Sequence, residues 1–373
     1  SGRLGGSARR EPVPAEPGPV VTMYTCGITP YDSTHLGHAA TYLTYDVLQR
    51  RLRDLGHETR CVRNITDVDD SILPKARELG VHYLDLAAAE MARFDADMEA
   101  LGMLPAYSEP RATSAIPDIR GFIGMVIDSG HAYESGGSVY FEVATLRSFG
   151  SLSGLSREDM LALAAERGGN PDDPNKRDPL DFVLWQPSAD DEPSWESMWG
   201  PGRPGWHIEC STLCLRELGT TIDLHGGGSD LIFPHHECEA AQSEAATGQP
   251  LVRHWMHQAM VHMDGEKMSK SLGNLAFVSE LSQQFHPMAI RLGVLGNHYR
   301  TEWEFGDDLM PDAQQRWLRW QQAGDGDGGL NEVRVALDDD LDTPSAIAAI
   351  DAAVARGEGV SEAALLLGVD LQR

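Results

Sequence analysis

The sequence GPVVTMYTCGITP at residues 18–30, with HLGHAATYLTYDVLQRRLRDLG at 35–56 and TRCVRNI at 59–65, decides the fold. Residues 18–25 are an apolar run that predicts a short buried strand, and 26–30 predict the turn after it. Apolar residues then recur at mostly three- and four-residue steps, which predicts a helix from about 35 to 55, with Gly56 placed to end it. Residues 59–65 predict a second strand. Strand, helix and strand in this order form a βαβ unit, which predicts a parallel sheet in an α/β fold.

The rest of the chain alternates between helical and irregular segments. Helical patterns dominate from about 71 to 128, residues 138–143 predict a strand, and 168–177 have the composition of a loop. From 181 to 225 the alternation of strand and helix resumes, which predicts the second half of the same sheet after an insertion. Beyond residue 274 the chain is helical, and GDGDGG at 324–329 predicts a flexible linker between two helical segments.

Composition places the chain among ordinary globular enzymes. It has 373 residues, of which 41% are hydrophobic and 23% charged. It has no apolar run of the roughly 20 residues that span a bilayer, so we expect no transmembrane helix and no membrane partner. Residues 1–18 lack the apolar segment of a signal peptide. Five cysteines, an odd number without framework spacing, indicate a reducing compartment, and we expect a cytoplasmic location.

The net charge of −27 lowers the expectation of a large nucleic-acid partner, because such proteins neutralise phosphates with Lys and Arg. The C-terminal stretch is more specific. Residues 301–373 contain 16 acidic residues against 5 Arg and no Lys. This stretch is a poor candidate for an RNA-binding module.

The first motif with chemical content is His35-Leu36-Gly37-His38, at the start of the predicted helix. A helix N-terminus favours phosphate, and histidines three residues apart share one helix face. There they can donate to phosphate oxygens as charge develops in a nucleotidyl transfer, while Gly37 lets a nucleotide approach the backbone. Taken alone, the motif fits a pair of capping or core histidines better.

The second motif is Lys267-Met268-Ser269-Lys270-Ser271, followed by Leu272-Gly273-Asn274. Two lysines interleaved with hydroxyls make a mobile cationic loop that can clamp a triphosphate. Most Lys/Ser pentapeptides are instead solvated surface turns. In this order and about 230 residues apart, the two motifs resemble the paired signatures of class I aminoacyl-tRNA synthetases.

Soft metal ligands are scattered along the chain at Cys26, Cys210, His235 and Glu239. Their spacing is not that of a zinc finger, so spacing alone does not join them. Cys26 stands out because it lies in the turn before the histidine motif. The remaining cysteines are interpreted as small buried hydrophobes, namely Cys61, Cys214 and Cys238.

A glycine run follows the predicted strand that ends near His225. Residues 223–230 read DLHGGGSD, and such a run between a strand and a helical segment lets a nucleotide lie against the backbone. Asp230 could then accept from ribose hydroxyls. A glycine run alone is weak support, since many are simply loops.

Together these segments resemble cysteinyl-tRNA synthetase over roughly residues 19 to 345. The matching segments are 26–27, 35–38, 63–67, 177–182, 205–210, 225–239 and 267–274. The resemblance implies a Rossmann-like, class I synthetase parallel-sheet core with an inserted subdomain and a C-terminal helical domain. It also implies one zinc ion per chain, bound by Cys26, Cys210 and His235, which takes the substrate thiolate as a ligand. Whether Glu239 is a fourth ligand or yields its place to the thiolate stays open.

The chain also departs from the synthetase pattern. The turn has the sequence CGITPYD at 26–32, AATY at 39–42 follows the second histidine, and only about 100 residues follow the lysine motif. The insert ERGGNP at 166–171 is similar to a motif of a paralogous family, the mycothiol-pathway cysteine ligases, which usually have Asp where this chain has Asn170. Residues 28–42 resemble that family too. Members of that family join cysteine to the amino group of glucosaminyl-inositol.

The resemblance implies ATP-dependent formation of a cysteinyl-adenylate, with Mg²⁺, and then of an amide. The charge of the first step would be stabilised by His35, His38, Lys267 and Lys270. The cysteinyl-adenylate pocket would be lined by Cys26, Gly27, Ile28, Thr29, Thr41, Asn64, Ile65, Thr66, Trp206 and Val261. The adenosine end would be lined by Gly228, Ser229 and Asp230. Asp67 or Glu209 could be the base for the acceptor amine, and the sugar could bind near 166–171.

The expected partners are small molecules: L-cysteine, ATP and glucosaminyl-inositol, with no tRNA, and the chain is expected to be a monomer. Two alternatives remain open, a cysteinyl-tRNA synthetase and an inactive synthetase-like nucleotide-binding regulator. The expected domains are a core at 19–105, an insert at 106–180, the core again at 181–262, a lysine-motif and stem-contact-like segment at 263–300, and a helical domain at 301–373.

Overall fold

The elements follow from a computed structural model that describes residues 2–7, 12–30, 34–68 and 70–373; Tyr31 and Asp32 of the turn quoted above lie outside these residues. The strands are β1 (Gly2–Gly5), β2 (Pro12–Ala15), β3 (Val20–Thr25), β4 (Glu58–Arg63), β5 (Ala132–Ser135), β6 (Ser138–Phe141), β7 (Phe182–Gln186), β8 (Arg203–Pro204), β9 (Ile222–Gly228), β10 (Val252–Gln258), β11 (Val261–Met263), β12 (Glu266–Lys267) and β13 (Trp303–Glu304). The α-helices are α1 (Leu36–Asp54), α2 (Ile72–Leu79), α3 (Tyr83–Ala100), α4 (Ile116–Asp128), α5 (Arg157–Glu166), α6 (Trp206–Leu218), α7 (Glu237–Thr247), α8 (Val278–Leu281), α9 (Pro287–Leu295), α10 (Leu309–Ala323), α11 (Leu330–Asp338), α12 (Thr343–Ala355) and α13 (Ser361–Leu366).

The predicted βαβ unit is confirmed as β3, α1 and β4. The two strands pair in parallel, with Met23 opposite Cys61, and β3 pairs in parallel with β9 on its other side. The sheet order is β10-β9-β3-β4, so the first and second parts of the chain share one parallel sheet. Met23 on the sheet and Leu43 on α1 are fully buried, because the apolar stripe of the helix packs against the strands.

A second sheet is antiparallel, in the order β5-β6-β7-β8. Here one expectation is wrong: β7, at the place where the parallel sheet was predicted to resume, pairs with β6. The parallel sheet resumes only at β9. The apolar run FVLWQ is equally suited to either sheet, since a strand with mostly buried residues carries no alternation that distinguishes them.

The C-terminal helices pack against α1 and α9. A buried ion pair joins Arg291 of α9 to Asp46 of α1, and Arg291 also donates to the carbonyl oxygens of Leu101 (3.1 Å) and Leu367 (2.9 Å). The glycine-aspartate run at 324–329 does connect two helices, α10 and α11. It is an ordered turn, however, because Gly328 N donates to Gly359 O at 2.9 Å.

Among the described residues, none of the helices combines the length and the apolar character that crossing a bilayer requires.

Candidate active site

A cavity of about 420 Å³ opens at the carboxyl ends of β3 and β9, where ligands bind in open α/β sheets. Both signature motifs reach its wall, through His35, His38 and Lys270. We call it the smaller cavity. The predicted pocket residues on its wall are Cys26, Gly27, Ile28, Thr29, Thr41, Gly228, Asp230 and Val261.

The histidine motif caps α1 and presents a neutral donor. Nδ1 of His35 accepts from the backbone N–H groups of Gly37 (3.1 Å) and His38 (3.4 Å), so the ring proton resides on Nε2. The His35 and His38 rings stack with centroids 3.7 Å apart. Burial and the Lys270 charge lower the pKa of His35 to about 4, which keeps its imidazole neutral at pH 7.

The two lysines of the second motif occupy different positions. Lys270 is on the wall of the smaller cavity, whereas Lys267, in β12, is the strand partner of His262 in β11 and is absent from that wall. Asn274 holds residues 263–269 together through its side-chain amide. Its Nδ2 donates to the carbonyl oxygens of Met263 (3.0 Å) and Lys267 (3.1 Å), and its Oδ1 accepts from Ser269 N (3.1 Å).

Four side chains converge beside the smaller cavity: Cys26, Cys210, His235 and Glu239, which we call the four-ligand cluster. Their ligand atoms all lie within 4.8 Å of one another, and all four residues are buried. The Cys26 and Cys210 sulfurs are 3.7 Å apart, and Cys26 Sγ lies 3.2 Å from Glu239 Oε1. His235 Nε2 is 2.9 Å from that same oxygen. The structure therefore holds a possible Cys/His metal site, with Glu239 in contact with Cys26 and His235.

Charge within the four-ligand cluster suits a cation. Burial alone would raise the pKa of Cys210, but its hydrogen bond with Cys26 and the charge of His235 lower it to about 6. Burial raises the pKa of Cys26, and its partners Cys210 and Glu239 raise it further. A bound cation would favour the thiolate at both sulfurs.

Sequence reasoning missed a second set of ligand atoms, that of Cys26, His225, His236 and Glu239, which also fall within 4.8 Å of one another. His225 Nε2 lies 2.7 Å from Glu239 Oε2, and His236 Nδ1 lies 2.6 Å from His257 Nε2. His225 thus orients Glu239 from behind, as outer residues do at metal sites. The run HHECE at 235–239 was the available signal, but it does not indicate which histidine faces the cysteines.

Several predicted pocket residues lie behind the wall instead of on it. Asn64 Oδ1 accepts from Gly27 N at 2.8 Å, and its Nδ2 donates to Thr66 Oγ1 at 3.0 Å. Ile65 is buried and Ser229 begins a short turn; like Asn64 and Thr66, neither lines the cavity. Asn64 and Thr66 therefore fix the turn that carries Cys26.

At two glycines a neighbouring atom lies so close to the backbone that a side chain would not fit. A Cβ atom at Gly27 would lie 1.5 Å from the carbonyl oxygen of Asn64, so only glycine fits the turn. At Gly226 it would lie 2.1 Å from Tyr45 Oη. The glycine run was predicted to follow a strand, but it forms the end of β9, and Gly226 makes room for a tyrosine of α1 instead of a nucleotide.

A larger cavity, of about 610 Å³, adjoins the smaller one, and both walls include Thr29 and Ser71. Trp206 lines the larger cavity and stacks on His235, with ring centroids 3.9 Å apart. The insert contributes Arg167, Gly168, Gly169 and Asn170 to the wall.

Neither expected base reaches a cavity wall. Asp67 is buried, and its carboxylate accepts from Thr113 N (3.0 Å) and Thr113 Oγ1 (2.5 Å). Glu209 is buried in the first turn of α6. Both are absent from the residues that line the two cavities, so the geometry does not support either one as the base.

Comparison with known proteins gives three findings. Residues 13–315 match the family model described as tRNA synthetases class I (C) catalytic domain. The chain is 48% identical to the L-cysteine:1D-myo-inositol 2-amino-2-deoxy-alpha-D-glucopyranoside ligase of Thermobispora bispora, over 99% of this chain and 95% of that protein. It is 47% identical to the protein of the same name from Streptosporangium roseum, over 94% and 88%.

Among solved structures, Mycobacterium tuberculosis methionyl-tRNA synthetase in complex with methionyl-adenylate is similar. The TM-score is 0.68 at 18% identity, over 94% of this chain and 88% of that one. At this identity the likeness shows a shared fold, with the parallel sheet and helices described above.

Proposed function

On the premise that the chain belongs to the family of class I (C) tRNA synthetase catalytic domains, we propose that it uses ATP to join L-cysteine to the amino group of glucosaminyl-inositol. The products are the cysteinyl amide, AMP and pyrophosphate. It is a ligase, as the names of its relatives from Thermobispora bispora and Streptosporangium roseum state for those proteins, and the bond proposed for it here is a carbon–nitrogen bond.

The observation that carries the proposal is the position of the four-ligand cluster. Cys26 belongs both to this cluster and to the wall of the smaller cavity, where His35, His38 and Lys270 also lie. A substrate bound through a thiol at the cluster therefore directs its carboxylate toward the groups suited to phosphate. That arrangement supports adenylation of cysteine.

The cluster residues fit Zn²⁺. Two cysteine sulfurs, one imidazole and the Glu239 carboxylate are buried together, and zinc favours four ligands, mostly sulfur and nitrogen. The two cysteines and His235 would supply three of them, and Glu239 would yield the fourth position to the substrate thiolate. When bound, zinc would accept the substrate thiolate and lower the pKa of its thiol. Serine offers only a hydroxyl, a poorer ligand, so cysteine is selected by bond chemistry where shape discriminates poorly.

In the first step a carboxylate oxygen of cysteine attacks the α-phosphorus of ATP, and the bond to the β-phosphate breaks. His35 donates from Nε2, because its Nδ1 already accepts backbone hydrogen bonds. Lys270 supplies positive charge at the same wall, and ATP enters with Mg²⁺. Lys267 is assigned a smaller part, since it lies off the wall.

In the second step the neutral amine of the acceptor attacks the carbonyl carbon of the adenylate. A carbon–nitrogen bond forms, the carbon–oxygen bond to AMP breaks, and the proton of the attacking amine passes to water. We assign this carbonyl to the place bordered by Trp206 and Thr29, since Trp206 stacks on His235 and Thr29 belongs to the walls of both cavities.

A cysteinyl-tRNA synthetase would perform the same first step with a different acceptor. The acidic stretch 301–373 argues against it. We therefore propose small-molecule partners and no tRNA. The five cysteines, all free and buried, support a cytoplasmic location, and we propose that the chain is a monomer.

The test compares acceptors. The purified chain is incubated with cysteine and ATP, and AMP release is followed with glucosaminyl-inositol or with tRNA in parallel. We expect release with the amino sugar. Release with tRNA alone would favour the synthetase, and absence of cysteine-dependent pyrophosphate exchange would indicate an inactive regulator.

A further inference from the structure

The larger cavity has a wall contributed by residues 166–171, and the phosphate-directed groups of the first step, His35, His38 and Lys270, do not line it. It meets the smaller cavity at Thr29 and Ser71, beside the place assigned to the reacting carbonyl. Its volume, about 610 Å³, lies within the roughly 300–1,000 Å³ of small-molecule sites. We propose that this cavity binds the acceptor as a polyhydroxylated amine, held by Asp173 and Lys176; the proposal rests on the function proposed above.

The charges on the wall define the class of acceptor. Asp173 and Asp181 line the cavity together with Lys176 and Arg167, and Asp70, also on the wall, is paired with Arg203. Carboxylates accept from hydroxyl and amine donors, whereas they repel phosphates. Two carboxylates and two cations therefore remain on this wall, and a polyol that carries an amine finds both acceptors and donors there.

Asp181 and Asp173 differ in how many further hydrogen bonds their carboxylates can accept. Asp181 accepts from Tyr133 OH (2.5 Å), Val143 N (3.0 Å) and Asp178 N (3.0 Å), which uses most of its lone pairs. Asp173 accepts from Tyr140 OH (2.6 Å) and Asn175 N (2.9 Å). Asp173 is thus held in place and still has lone pairs for ligand hydroxyls.

Lys176 is the matching donor. It is one of only four lysines in the chain, and its ammonium forms no ion pair with any residue that the structure describes. Burial lowers its pKa, while the nearby Asp173 and Asp181 act in the opposite direction. A half-buried ammonium on a cavity wall has three donors to offer, and sugar hydroxyls are suitable acceptors.

The insert shapes this wall. Gly168 has φ of +86°, and a Cβ atom at Gly169 would lie 2.6 Å from the carbonyl oxygen of Ala164, so both positions favour glycine. Arg167 donates to the carbonyl oxygen of Phe233 at 2.7 Å and also to that of Asp230. The insert is thereby attached to the segment that carries His235, and the acceptor wall is fixed relative to the four-ligand cluster.

The experiment uses Lys176→Met and Asp173→Asn in the full chain, with Lys75→Met as the matched control, a lysine of α2 that pairs with Glu78 and lines neither cavity. Asn170→Trp adds bulk at an exposed position of the wall and serves if either of the other two changes prevents folding. Two rates are measured for each: cysteine-dependent pyrophosphate exchange, and AMP release against glucosaminyl-inositol concentration.

We expect each of the three cavity variants to raise the acceptor KM about tenfold and to leave the rate of pyrophosphate exchange nearly unchanged. Lys176→Met and Asp173→Asn each lose a charge-assisted contact, and Asn170→Trp takes space from the acceptor. Lys75→Met should match the wild type in both assays. An unchanged acceptor KM in all three cavity variants, with the wild type active, would place the acceptor elsewhere. A wild type that exchanges pyrophosphate but releases no AMP with the amino sugar would overturn the proposed function, and the acceptor site with it.

Discussion

The two cavities share Thr29 and Ser71 but are built from different parts of the chain. The smaller cavity is formed by turns at the ends of parallel strands, and short motifs with fixed spacing supply its polar groups. The larger cavity is formed between the antiparallel sheet and residues 166–171. Its polar groups come from scattered positions such as Ser138, Asp173 and Gln186. The residues proposed for adenylation thus lie in the smaller cavity, whereas the residues that can select the acceptor lie in the larger one.

The largest loss of activity should come from changes in the four-ligand cluster, because the proposed adenylate and the amide made from it both require bound cysteine. Cys26→Ala removes a soft ligand, and we expect loss of bound metal and a fall of about 10³-fold in cysteine-dependent pyrophosphate exchange. Metal content by mass spectrometry and the exchange rate test this. Cys61→Ala is the control, because Cys61 is buried outside the cluster and burial raises its pKa to about 11. Equal loss in both variants would contradict the assignment.

A second comparison separates the two lysines. Lys270→Met should lower exchange by about 100-fold, because it removes a positive charge from the wall of the smaller cavity. Lys267→Met should lower it by about tenfold or less, since that side chain lies off the wall. The acceptor KM should change little in either variant, and equal exchange rates in the two would show that the lysine segment moves onto the nucleotide as a unit.

Arg167 connects the walls of the two cavities, and its contribution should appear in the free energy of unfolding. Arg167→Ala leaves the carbonyl oxygens of Asp230 and Phe233 without this donor, and we expect a loss of about 2 kcal/mol in the free energy of unfolding. Arg157→Ala, at the start of α5, which Arg167 follows directly, removes a surface pair with Asp178 and should cost about 0.5 kcal/mol or less. Urea denaturation of both variants tests this, and similar losses would mean that Arg167 does not join the walls.

The smallest effect concerns pH. The pKa of His35 is about 4 in the folded chain, so between about pH 6.5 and pH 4 only the unfolded state binds this proton. The free energy of unfolding therefore falls as the pH is lowered through this window. His35→Gln should reduce the slope by up to about 1.4 kcal/mol per pH unit. An unchanged slope would contradict a neutral His35.

The sequence predicted the parallel core well because β3, α1 and β4 are neighbours in the chain and each has a clear periodicity. It placed β7 in the wrong sheet because the pairing partner of a buried strand is decided by distant residues. Cys26, Cys210 and His235 were brought together by family resemblance, not by spacing. The role of His225 behind Glu239, and the different positions of Lys267 and Lys270, depend on side-chain directions that a linear pattern does not contain.

The buried pair between Arg291 and Asp46 has a consequence for the size of the catalytic unit. Asp46 lies in the helix whose first turn carries His35 and His38, and Arg291 is also held by the carbonyl oxygen of Leu367 near the end of the chain. Residues 301–373 line neither cavity, yet removing them would deprive this guanidinium of a partner in a dry interior. The helical tail therefore sets a lower limit on how short an active fragment can be.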